Sequence, residues 1–156
     1  MTSRIQQFIR VWAFGGGLLL CAVVLLNALS VISSALFNKP FAGDFELTEM
    51  GIGIAVFCFL PYCQLVGANV SADIFTSGIS QKAQYRLELI GHFVVLLFAI
   101  LLLWRMSAGL LDYIEYEEFT GVLNIPIWWA FVPALASLFL LTLAACLSLG
   151  ETWTKI

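Results

Sequence analysis

Glu88 and His92 stand four residues apart at the head of an apolar stretch, so a helix would carry them on one face. A carboxylate and an imidazole so placed inside an apolar helix can relay a proton. The plainer reading, and the one preferred here, is interfacial: Arg86 precedes the pair, and ionisable groups near a helix end reach water or headgroups. His92 is the only histidine, which excludes a bis-histidine haem and a histidine-rich metal site. Cys21, Cys58, Cys63 and Cys146 form no Cys-x-x-Cys pair, fall within apolar stretches and read as buried apolar side chains. There is no Gly-x-Ser-x-Gly elbow and no carboxylate pair within such a stretch for acid–base work. Catalytic residues, metal ligands and bound cofactors are therefore not expected.

Asn27, Ser30 and Ser34 make a stronger internal signal. Spacings of three and four put them on one helix face, where they can hydrogen-bond to another helix of this chain or of a partner. Composition and spacing leave both options open. Gly15, Gly16 and Gly17 on the same helix either weaken it or let a neighbouring backbone approach.

The elements that position these residues are four apolar spans: Val11 to Leu36, Met50 to Val70, Leu87 to Trp104 and Ile125 to Leu149. About 20 apolar residues cross a hydrocarbon core roughly 30 Å thick, so each is long enough or nearly so. With 62% hydrophobic and 11% charged residues, the chain is far from the soluble average of about 25% charged. The predicted fold is an all-α integral membrane protein, one four-helix domain over residues 1–156. Ile74, Phe75, Ile79 and Tyr85, interspersed with charges, suggest a short interfacial helix between the second and third spans, although their periodicity is imperfect. The first apolar run exceeds the 7–15 residues of a signal h-region and reads as an uncleaved anchor.

Charge sets the orientation. Arg4, Arg10, Lys82, Arg86 and Lys155 fall on one side of a four-pass arrangement, and Asp44, Glu46, Glu49, Asp112, Glu115, Glu117 and Glu118 on the other. By the positive-inside rule both termini are cytoplasmic, with Lys39 and Arg105 as outer exceptions.

In the outer loops, Pro40 and Gly43 break the first helix, Asp44 can cap the second, and Glu46 and Glu49 suit its dipole; capping alone accounts for all three acids. Pro61 is placed to kink the second span, Pro126 suits a helix start, and Trp128 and Trp129 suit an aromatic belt.

The order Pro40-Phe41-x-Gly43-Asp44-x-Glu46-Leu47, Leu60-Pro61-Tyr62-x-Gln64, Gly67-x-Asn69-Val70-x-x-Asp73-Ile74-Phe75 and Thr120-x-x-Leu123-x-Ile125-Pro126-x-Trp128 resembles the small membrane (Q) subunit of tripartite ATP-independent periplasmic (TRAP) transporters. Asn69 stands where many relatives would have histidine. The resemblance implies a bacterial inner-membrane scaffold paired with a separately encoded large multi-pass subunit. That subunit would bind sodium and substrate and move as an elevator, while a periplasmic binding protein delivers an organic acid. Membrane lipids complete the expected surroundings, and no nucleic-acid partner is expected. Asn27, Ser30, Ser34, Pro40, Gly43, Asp44, Glu46, Pro61, Gln64, Asp73, Thr120, Pro126 and Trp128 are the structural or partner-facing candidates. The competing readings are a small membrane enzyme or redox protein using Glu88, His92 and the cysteines, and a self-assembling channel lined by Asn27, Ser30 and Ser34.

Overall fold

A computed structural model describes residues 2–67 and 81–154, excluding the side chains of residues 2, 3 and 81–83. Asn69, Asp73 and the anticipated interfacial helix lie outside the described residues. The chain forms α1 (Thr2–Phe37), α2 (Asp44–Val66), α3 (Gln81–Glu115) and α4 (Trp128–Trp153). All four are long and apolar enough to cross a membrane. Among the described residues there is no strand, only an isolated antiparallel bridge between Phe119 and Pro126.

The helix ends depart from the four apolar runs for identifiable reasons. α2 stops at Val66, not Val70, because Gly67 takes the left-handed conformation (φ 69°) and turns its N–H back onto the carbonyls of Cys63 and Gln64. α2 also continues through Pro61, which is buried. The third run ends at Trp104, whereas α3 continues for eleven more residues to Glu115; Met106, Ala108, Leu110 and Leu111 are good helix formers that outweigh Gly109, and a single arginine does not break a helix. Arg105 therefore lies inside α3 instead of beyond it. α4 begins at Trp128, three residues after the fourth run, because Ile125 and Pro126 are held in the loop bridge.

Helix packing runs α1 on α2, α2 on α4 and α4 on α3. The middle pair is correspondingly more covered: 39% of the apolar window of α4 and 28% of that of α2 are buried, against 11% for α1 and 6% for α3. One apolar cluster joins Ile9 of α1 to Leu140 and Ala144 of α4, with Leu65 of α2 beside them. A second joins Ala99 of α3 to Leu138 and Leu141, with Phe57 and Leu60 of α2 against it. One end of the bundle gathers the carboxyl ends of α1 and α3, the amino ends of α2 and α4, and most of the acids; we call it the acidic end.

The α1–α2 seam explains the first helix's pattern. Ile9, Gly16, Val23 and Ser30 recur every seven residues and are buried. A Cβ at Gly16 would lie 2.6 Å from Cys58 Cβ, and one at Gly51 would lie 2.5 Å from Val23 Cγ2. As α1 advances through Gly16, Val23, Asn27 and Ser30, its partners fall back through Cys58, Gly51, Thr48 and Asp44, so the helices are antiparallel in one continuous register. Small residues on alternating sides let the backbones close, which is how membrane helices gain packing energy without a hydrophobic drive between them.

A clasp at the acidic end and the polar groups between the helices

The candidate site is built where the loop after α1 meets the loop before α4. Gly43 is the N-cap of α2 at φ 81°, a conformation that favours glycine, and it makes no side-chain cap. A Cβ there would lie 2.3 Å from Leu123 Cγ, so that leucine occupies the space a larger residue would need. Asp44 is consequently the first helical residue and not the cap anticipated for it. Its carboxylate accepts from Ser30 Oγ through Oδ2 and from the Phe45 N–H (2.7 Å) through Oδ1. Ser30 Oγ in turn accepts the Phe41 N–H (3.2 Å), and Ser33 Oγ donates to the Lys39 carbonyl (2.7 Å). These bonds fasten the turn containing Pro40 to α1.

Glu46 does more than suit the dipole of its own helix. Its carboxylate accepts the N–H groups of Val122 (2.7 Å) and Leu123 (3.0 Å), crossing to the other loop. That loop is shaped to offer them. Thr120 and Ile125 exchange bonds, Thr120 N–H to the Ile125 carbonyl (2.9 Å) and Ile125 N–H to Thr120 Oγ1 (3.0 Å), while Ile127 N–H reaches the Glu118 carbonyl (3.1 Å). Asn124 at φ 53° and Glu117 at φ 48° turn the chain at either side. Gly43, Asp44, Glu46, Thr120 and Pro126, scattered over two loops in the sequence, thus meet in one clasp. Trp128 follows it and packs edge-on against Trp129, ring centroids 6.2 Å apart.

Between the helices, the polar side chains are directed at one another. Asn27 donates to Thr48 Oγ1 (2.7 Å) and to the Val23 carbonyl (2.9 Å), so it and Ser30 serve packing within this chain. Ser34 is half-buried on the same face. Trp12 Nε1 donates to Ser137 Oγ (2.9 Å), which donates to the Pro133 carbonyl (2.8 Å) one turn earlier on α4. Gln64, buried on α2, meets His92 Nδ1 at 2.9 Å. His92 is therefore engaged with another helix, while Glu88 is exposed. Sequence reasoning selected Gln64 but gave His92 little role; it had Leu123 only as a member of the pattern from Thr120 to Trp128, and it missed Trp12 and Ser137, which nothing local in the sequence marks as long-range partners. The cysteines also divide, Cys58 being buried and Cys21 and Cys146 exposed on their helices.

Among the described residues no three histidine, cysteine or acidic side chains gather as a metal site. A cleft of about 160 Å³ between α2, α3 and α4 is walled by Met50, Ile54, Phe57, Met106 and Phe131, with Glu49 its charged member. The arrangement can hold helices and loops in register; among the described residues the polar groups bond to one another instead of converging on a shared space.

No curated protein matches the chain significantly. The family described as "Tripartite ATP-independent periplasmic transporters, DctQ component" matches residues 20–155, from the second half of α1 through α4, and it is a family of transporter components, not of enzymes. With four helices of spanning length and that match, this multi-pass membrane protein belongs to the DctQ family, the small permease components of TRAP transporters.

Proposed function

We propose that this chain is the scaffold of its transporter, a fixed membrane partner for a large multi-pass subunit that carries sodium and an organic acid in elevator fashion. A periplasmic binding protein delivers the acid. The chain sits in the bacterial inner membrane with both ends cytoplasmic and the clasp facing the periplasm, an orientation supported by the charge asymmetry. One observation carries the scaffold reading: three polar pairs within the spans are bonds between helices, Asn27 with Thr48, Trp12 with Ser137 and Gln64 with His92. A site for a carboxylate and cations would instead direct such groups at a shared space. An element that stays put while a transport domain moves needs a stiff bundle and a broad footprint, and the clasp supplies stiffness where two loops would otherwise be loose.

Reconstitution into liposomes tests this. Sodium-driven uptake should need this chain, the large subunit and the binding protein together. Uptake by this chain alone would overturn the scaffold assignment.

A further inference from the structure

The two flanking helices, α1 and α3, both present apolar surface outward, but they differ in one respect. From Val11 to Phe37, α1 carries no charged residue, and its outward side chains such as Val24 and Leu25 suit acyl chains. α3 has Arg105 on its exposed face, seven residues before Asp112 and therefore roughly 10 Å inside the acidic end. Its level is fixed by its neighbours: Met106 packs into the cluster of Ala99 and Leu138, and Gly109 lies against Phe131 of α4. Arg105 forms no hydrogen bond or ion pair among the described residues. Trp104, next to it, is 74% exposed, and Phe98 and Leu101 are outward on the preceding turns.

We propose that this face of α3 is where the large subunit docks, through a transmembrane helix that presents an acidic side chain to Arg105 at outer-leaflet depth. The inference rests on the scaffold reading above and adds the face and the chemistry of the contact. An arginine within a spanning helix is costly against lipid and finds its cheapest environment beside a carboxylate. Arginine and tryptophan are also the residues most concentrated at the energetic centres of interfaces. Of the four helices α3 is the least covered by its own chain, so the face is available.

Photo-crosslinking in cells making the whole transporter tests the face, with p-benzoylphenylalanine at Phe98 or Leu101 on α3 and at Val24 or Leu25 on α1. The α3 positions should give adducts with the large subunit, mapped to a peptide with Asp or Glu within one helical turn; the α1 positions should not. Arg105→Glu should lower copurification of the large subunit at least roughly tenfold, and Arg105→Lys should retain most of it. The crosslinks use the native arginine, so they decide the matter even where Arg105→Glu fails to insert. Adducts only from α1, or only with phospholipid from α3, while the subunits copurify, would overturn this inference and leave the scaffold reading standing. Absence of copurification with the unaltered chain would remove both.

Discussion

The carboxylate of Glu46, on the first turn of α2, accepts the backbone N–H of Leu123 at 3.0 Å, joining residues 77 apart in the chain. The side chain of Leu123 in turn fills the space beside Gly43, so one loop is gripped by its backbone and fitted by its side chain. The two contacts make separate predictions.

Glu46→Ala removes both acceptors, so the amides of Val122 and Leu123 should exchange with solvent much faster while those of the α2 interior are unchanged. Glu46→Gln keeps one carbonyl oxygen and should fall between. Exchange measured in detergent micelles reads this, and equal rates in all three proteins would show that the clasp contributes no order.

Gly43→Ala meets two obstacles, the left-handed backbone and Leu123 Cγ at 2.3 Å from the new methyl. The backbone term costs about 1–2 kcal/mol, and the steric term adds to it unless the leucine moves. Adding Leu123→Ala should recover the steric part only, so the double variant melts above Gly43→Ala but below Leu123→Ala alone. Complete recovery would mean that the conformation of Gly43 is easily adopted by alanine.

These contacts mark the limit of what the chain discloses on reading. Apolar runs located all four helices, because a bilayer imposes length and composition on each span independently. Their ends were less legible: Arg105 looked like a boundary by charge, yet α3 continues through it, and Ile125 and Pro126 looked helical by hydropathy but bond to Thr120 and pair with Phe119. The residues of the clasp were picked out as a pattern, with capping offered as the reason for Glu46. Its true partners lie in another loop, and no local spacing rule relates residue 46 to residue 123. The same holds for Trp12 and Ser137, 125 apart.

The α1–α2 seam predicts opposite outcomes for two glycines on one helix. Gly51→Ala would bring a methyl to 2.5 Å of Val23 Cγ2 and should destabilise the bundle by about 1–3 kcal/mol, since overpacking a close crossing forces the helices apart. Gly53→Ala faces open space and should be neutral or stabilising, because alanine is the better helix former. Thermal unfolding in one detergent compares them directly. Equal losses would show that helix propensity, and not the crossing, governs both positions.

The last prediction concerns Gln64 and His92, which face each other across α2 and α3 at 2.9 Å. The Nδ1 of the imidazole is engaged by Gln64, a residue only 2% exposed on a neighbouring helix, while Glu88 is exposed. The pair should therefore matter for packing. Hydrogen bonds between membrane helices couple by about 0.6 kcal/mol on average and up to about 1.7, so a double-mutant cycle of Gln64→Leu and His92→Leu should return a coupling of that size. Glu88→Gln should change neither stability nor uptake. Uptake in the reconstituted transporter separates the two roles: the His92 variants should lose it only in proportion to lost assembly. If His92→Gln assembles fully with its partners yet abolishes uptake, the imidazole takes part in transport itself, and the scaffold reading fails at this residue.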